Sequence, residues 1–268
     1  MKFIEVIKEY IKQKNSNFKF IQLGCNDGFM ADPLHDFIKD NQWEGILVDA
    51  DAYYLKNAQS CYSEKNRLRY LNAGVVPLNK TNNSLFEKFY SINPEAIRPS
   101  PIEVEGQLCW RYADKIFSVH ETYRNIDHHK NNILDYLQGI GSFDYEFVLN
   151  HINLVTQKTD ASGQLSREIF STDKANHAKF IKMHFVPIFN INQIFDMSGF
   201  QSIDLLQTDL ETWDVKIMED ILSFDIKPKI IHFEAPGGIS EDLKSKFKKA
   251  GYSINRTTDT KDELAILI

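Results

Sequence analysis

Residues 18 to 29, FKFIQLGCNDGF, run an apolar strand straight into a turn bounded by Gly24 and Gly28, and a second apolar strand, GILVDAD, delivers Asp49 21 residues after Gly28. Two buried strands this close in sequence, with a helical stretch between them, call for a parallel pair joined by a crossover. Glycines in the turn permit backbone conformations and close approaches that a side chain forbids. An acid ending the second strand can accept both hydroxyls of a ribose.

The glycine pattern narrows the ligand. A pyrophosphate cofactor requires G-x-G-x-x-G opening a helix, so that bare N–H groups meet the phosphates. Here the third slot is Asn26 and the fourth is Asp27. An acid in the turn repels phosphate and suits a cation, and S-adenosylmethionine, with a ribose, an amino group, a sulfonium and no phosphate, matches that chemistry. The expected cofactor set is therefore Gly24, Asn26, Asp27, Gly28 and Asp49 with its neighbour Ala50. Asn and Asp are also ordinary turn formers, and Asp51 can instead cap the helix that follows.

The periodicity continues as a doubly wound sheet. Phe3, Ile4, Ile7 and Ile11 recur at helical spacing ahead of strand one, Leu34, Phe37 and Ile38 mark a helix over Pro33 to Lys39, and Leu55 to Cys61 reads as another. Leu68 to Val76 is expected as a single third strand. Alternation then stops until FVPIFNINQIFDMSG, a short strand plus helix, after which IDLLQTD, a helix over Val215 to Phe224, KIIHFEA and a helix over Ser240 to Ala250 continue it. Tyr252 to Arg256 and Leu264 to Ile268 close as an antiparallel pair. The expected architecture is one α/β domain over 1–268, a Rossmann-like, mostly parallel sheet with an antiparallel C-terminal strand. Residues 82–185 form a substrate-specificity insertion between strands three and four.

Composition excludes several classes. A net charge of −6, with no basic tract longer than Lys246 to Lys249, argues against nucleic acid as the main partner. Three cysteines, Cys25, Cys61 and Cys109, are too few and too scattered for a disulfide framework or zinc cluster, which points to a reducing, cytoplasmic setting. The charge-interrupted MKFIEVIKEYIKQK does not read as a signal sequence, and no apolar run reaches membrane-spanning length. A homo-oligomer is compatible with everything in the sequence.

These segments together resemble the FkbM-type family of S-adenosylmethionine-dependent O-methyltransferases. Five blocks carry the resemblance: FIQLGCNDGF, WEGILVDAD, IGSFDYEFVLNH, IDLLQTDLETWD, and KPKIIHFEAPGG followed by FKKAGYSI. The fourth, similar to the family's aspartate-x-glutamate-glycine motif, is the most specific. Asp49-Ala50-Asp51 stands where the family has Glu-Pro-Asn, and Thr212 stands where it has glycine. The resemblance implies methyl transfer to an alcohol and places Asn72 and Ala73 at the adenine.

The acids at the strand ends carry the expected chemistry. Asp209 ends strand four beside the topological switch and Glu234 ends strand five in the same layer; two neighbouring carboxylates raise one another's pKa, as a base for an alcohol requires. Asp209 is the first candidate for base, Glu234 its neighbour, and both are the metal ligands if a divalent ion is used. His151 is the alternative base. Glu211, Trp213 and Ser142 are candidates for the acceptor. Asp214 reads as a helix cap. Trp110 and Tyr112 fit a sugar face or the core equally, and Arg98, Arg111, Lys115, Arg124 and Arg167 are available to an anionic acceptor.

The expected function is methylation of a hydroxyl on a sugar, nucleotide-sugar or surface-glycan precursor, with no membrane insertion. Alternatives are methylation of a secondary metabolite or small phosphorus-containing acid, and a non-catalytic module that only binds S-adenosylmethionine. A nicotinamide-dependent oxidoreductase is disfavoured by the glycine pattern.

Overall fold

The computed structural model describes residues 1–14, 17–29, 32–62, 66–81, 84–93, 100–104, 107–112, 115–118, 140–157, 174–211, 213–260 and 262–268, with the backbone alone over 100–118 and 174–175. In chain order the first elements are α1 (Phe3–Gln13), β1 (Lys19–Leu23), α2 (His35–Asp40), β2 (Glu44–Asp49), α3 (Ala52–Cys61), β3 (Leu68–Asn72), β4 (Gly74–Val75) and α4 (Leu78–Thr81). There follow β5 (Phe86–Ile92), β6 (Ser100–Val104), β7 (Gln107–Tyr112), β8 (Lys115–Ser118), β9 (Gly141–Ser142) and α5 (Tyr145–Gln157). The last are β10 (Ile181–Phe189), α6 (Ile191–Ser198), β11 (Leu205–Thr208), α7 (Asp214–Leu222), β12 (Ile230–Phe233), α8 (Glu241–Lys249), β13 (Tyr252–Arg256) and β14 (Glu263–Leu267). Two compact units result, Met1–Glu87 with Val186–Ile268, and Lys88–Phe185.

The first unit is built on a seven-stranded sheet in the order β3-β2-β1-β11-β12-β14-β13, parallel except for β14, which runs against both its neighbours. Alternate residues of each strand point to opposite faces, and both faces are covered. On one, Ile21, Val48, Leu206 and Phe233 pack with Ile194 of α6, Ile217 of α7 and Phe247 of α8. On the other, Phe20, Leu47, Leu205 and Ile230 pack with Phe3 and Ile7 of α1, Ile38 of α2 and Ala58 of α3. Strands buried on both faces explain the near-continuous apolar runs in the sequence. Truncating Ile21, wholly buried on β1, to alanine would cost about 2–5 kcal/mol.

Strand order reverses between β1, which pairs with β2 on one side, and β11 on the other. The crevice beyond the carboxyl ends of these two strands is where open α/β sheets bind ligands. The chain from Leu68 to Val76 is not one strand, contrary to the sequence expectation. It follows β2 as far as Asn72 and then leaves the sheet, so that Gly74 and Val75 pair with Ile188 and Phe189 of β10. Asn72 enforces the break: its amide donates to the carbonyls of Asp49 and Ala50, both at 3.0 Å, while Ala73 N–H donates to Asp49 O at 3.0 Å.

In the second unit, Tyr90 and Ser91 of β5 pair antiparallel with β9, and β6, β7 and β8 form an antiparallel meander. Helix α5 buries Val148, Ile152 and Val155. His120, His128, His129, Arg98, Arg124 and Arg167 lie outside the described residues, as do the side chains of Arg111, Lys115, Trp110 and Tyr112. Among the described residues, no helix is long and apolar enough to cross a membrane.

Candidate functional site

The turn after β1 is fixed by its glycines and by hydrogen bonds from three directions. Gly24 has φ +74°, and a Cβ on it would stand 1.8 Å from the Asp209 carbonyl oxygen, so only glycine lets the ends of β1 and β11 meet. Gly24 N–H and Cys25 N–H both donate to Val48 O, at 2.8 and 3.1 Å. At the other end, the Gly28 carbonyl accepts from the Tyr62 hydroxyl at 2.5 Å and lies 2.7 Å from His35 Nδ1. Asp27, largely buried, accepts from Phe29 N–H at 3.0 Å, an Asx turn. Asn26 takes a left-handed φ of +47°, and its side-chain oxygen is buried without a hydrogen-bond partner among the described residues.

Asp49 ties this turn to β2. One carboxylate oxygen accepts from Asn26 N–H and the other from Asp51 N–H, each at 2.8 Å. Burial pushes its pKa up to about 7, with repulsion from Asp51 and Asp209 adding to it and the two N–H donors opposing. Each oxygen keeps a second lone pair, so a diol can still be accepted. Asp51 caps α3, accepting from Tyr53 N–H at 2.9 Å. Ala73 is packed in the sheet core, and the Asn72 amide nitrogen is committed to the backbone of Asp49 and Ala50.

Four acids meet at the ends of β11 and β12. Asp209, one residue past β11, is open to solvent but ringed by protein, and that partial desolvation, with repulsion from Asp262 and Asp32, lifts its pKa to about 6. Glu234, one residue past β12, is raised to about 7 by burial and by Asp209. Glu211 is raised further, to about 9, by burial and by repulsion from Asp209, Glu234 and Asp214. Its backbone also lies at φ +60°, a left-handed conformation that a branched or long side chain rarely adopts. A strained, desolvated, repelled carboxyl is the pattern of a functional site. The sequence marked Glu211 as an acceptor contact and gave no sign of this strain.

Asp214 does not cap α7 as expected. The N-cap is Trp213, without a side-chain bond, and the Asp214 carboxyl turns back into the loop. It accepts from the Thr208 hydroxyl at 2.5 Å and from Leu210 N–H at 2.7 Å, fully buried and with its pKa held well above the usual range by burial and by Asp209. Its work is to hold the loop that presents Asp209 and Glu211.

The Trp213 ring is engaged by two ammonium groups, Lys216 Nζ at 4.3 Å and Lys80 Nζ at 5.4 Å from its centroid. Thr212 lies outside the described residues. Ser142 and His151 belong to the second unit. Ser142 is buried and accepts from Asp144 N–H at 3.1 Å at the start of α5; His151 Nδ1 lies 2.8 Å from Phe147 O within that helix. Among the described residues, no three His, Cys, Asp or Glu side chains are grouped to hold a metal ion.

Comparison of the chain with protein-family models and with curated proteins finds no match to either.

Proposed function

We propose that this chain is an S-adenosylmethionine-dependent O-methyltransferase acting on a hydroxyl of a sugar, nucleotide-sugar or glycan precursor. The observation that carries the reading is the gathering of Asp49, Asp209, Glu211 and Glu234 at the carboxyl edge of the sheet, all with raised pKa values. Acids held at such cost are stabilised by a positively charged ligand, and they repel a phosphate. The mostly parallel sheet with its reversed C-terminal strand is what a methyltransferase domain of this type calls for. The five sequence blocks that resemble the FkbM-type family supply the choice of an alcohol as acceptor. The free thiols of Cys25 and Cys61 suit a reducing, cytoplasmic setting.

The bound cofactor supplies an electrophilic methyl group on sulfur. Asp49 accepts the ribose hydroxyls through the lone pairs left by Asn26 and Asp51. The crevice between β1 and β11 aligns the acceptor oxygen for in-line attack. Asp209 or Glu234, with pKa values of about 6 and 7, takes the hydroxyl proton as the new bond forms, since a base poised near the working pH transfers protons most effectively. Glu211, at about 9, holds its proton at neutral pH and donates a hydrogen bond.

Titration calorimetry with S-adenosylmethionine, followed by a methyl-transfer screen over sugar and nucleotide-sugar alcohols, tests the reading. Asp49→Ala is expected to weaken cofactor binding about tenfold or more, the loss of a charge-assisted pair. Asp209→Asn is expected to keep binding and lose turnover. Binding without turnover on any alcohol would favour a binding module, and no binding at all would overturn the proposal.

A further inference from the structure

Methyl transfer in an acidic crevice poses a problem for any acceptor that is itself an anion. Asp209 and the partly ionised Glu234 repel a phosphate brought among them, so such an acceptor needs cations at the rim. In the first unit, two are built onto Trp213, two residues from Glu211. Lys216 lies in the first turn of α7, where the helix dipole disfavours a cation and attracts an anion. Lys80 comes from α4, which is bonded to α7 by Leu78 N–H donating to the Asp220 carboxylate at 2.8 Å. Both ammonium groups lie against the indole rather than a carboxylate, at 4.3 and 5.4 Å from its centroid.

Lys19 and Arg69 share the Phe200 ring in the same way; what sets Lys80 and Lys216 apart is the place of their ring, two residues from Glu211. Lys12, Lys14, Lys244 and Lys246 all pair with carboxylates, whereas neither Lys80 nor Lys216 forms an ion pair among the described residues. Trp213 thus holds two cations in place without neutralising them, which leaves their charge for a ligand.

From this arrangement we infer that the acceptor carries phosphate, of the kind found in a nucleoside diphosphate sugar, and that Lys80 and Lys216 receive its phosphate oxygens. The inference rests on the proposed methyl transfer for its meaning and deepens it by naming the acceptor class. Each lysine donates from a compact ammonium head, so the contact is electrostatic and salt-sensitive. The acids at the strand ends take the sulfonium, and the lysine pair takes the opposite charge.

Calorimetric titration of the full chain with inorganic pyrophosphate and with uridine diphosphate, each with and without S-adenosylhomocysteine, tests it. Both probes are expected to bind, and affinity is expected to fall about tenfold or more in the Lys80→Ala/Lys216→Ala double variant and on raising salt to about 0.3 M. Affinity for S-adenosylhomocysteine should stay within about twofold of wild type, because neither lysine adjoins the Gly24 to Gly28 turn. Lys216→Glu, an exposed substitution monitored by thermal melting, should abolish pyrophosphate binding. Failure of either probe to bind, or unchanged binding in the double variant, overturns the inference. Loss of cofactor binding alone overturns the methyl-transfer reading and leaves the phosphate titrations interpretable on their own.

Discussion

Gly24 and Asp209 meet backbone to backbone, so close that a Cβ on the glycine would stand 1.8 Å from the aspartate carbonyl oxygen. The turn after β1 and the acid after β11 therefore pack as one junction, which Asp209 N–H also ties to Leu23 O at 2.9 Å. Gly24→Ala adds both a backbone clash and a left-handed residue at φ +74°. It is expected to cost roughly 3 kcal/mol or more, a melting temperature lower by about 10 °C. Gly237→Ala, whose Cβ meets nothing within 4 Å, should stay within about 0.5 kcal/mol of wild type. Equal melting temperatures for the two variants would mean that the junction yields.

Asp214 anchors the loop carrying Asp209 and Glu211, so its removal should be felt in folding as well as in activity. Asp214→Ala leaves Leu210 N–H and the Thr208 hydroxyl without their acceptor and is expected to cost about 2–4 kcal/mol in urea unfolding. Asp214→Asn keeps one acceptor oxygen and removes a charge that burial already disfavours; it should lose less than half as much. An alanine variant as stable as wild type would show that the loop is held by something else.

Glu211 gives stability a pH dependence of definite sign. Its pKa is raised from 4.5 to about 9 on folding, so between these values the folded protein holds a proton that the unfolded chain has released. The contribution is fully present below about pH 4.5 and is lost as pH rises through about 9. Glu211→Gln cannot ionise; it should melt several degrees above wild type at about pH 8.5 and match it near pH 5. Glu211→Gly also relieves the left-handed backbone at φ +60°, by about 1 kcal/mol at every pH. A glutamine variant whose advantage is the same at both pH values would place the carboxyl in solvent.

The parts of this molecule legible in the sequence are those set by local pattern. The apolar runs gave the buried strands, the spacing of Phe3 and Ile7 gave α1, and the polar link before Glu263 gave the reversed β14. Acids at strand ends could be named because a strand end is a local feature. What escaped depends on contacts that the local pattern does not reveal. The apolar stretch from Leu68 to Val76 looks continuous, and only the Asn72 amide reaching Asp49 and Ala50 ends β3 where it does. Asp214 has the spacing of a cap, and only the Thr208 hydroxyl, six residues earlier, shows where its carboxyl turns. Lys80 is more than a hundred residues from Trp213, with no motif to join them.

Cofactor binding should be coupled to proton release. At neutral pH, Asp49, Glu234 and Glu211, with pKa values of about 7, 7 and 9, hold protons in part or in full. A sulfonium placed among them favours the ionised forms and pulls those values down, so protons leave as the ligand enters. Affinity for S-adenosylmethionine should therefore rise as pH is raised from about 6 to about 9. S-adenosylhomocysteine carries the same ribose and amino acid without the positive sulfur, so it is the internal control: its affinity should change less over that range. Calorimetry near pH 7 in two buffers of different ionisation enthalpy counts the protons directly. Roughly half a proton more should be released with the charged ligand than with the neutral one. Identical proton release for the two would mean that the acids at the strand ends do not face the sulfur, and the assignment of this crevice to a cationic donor would fall with it.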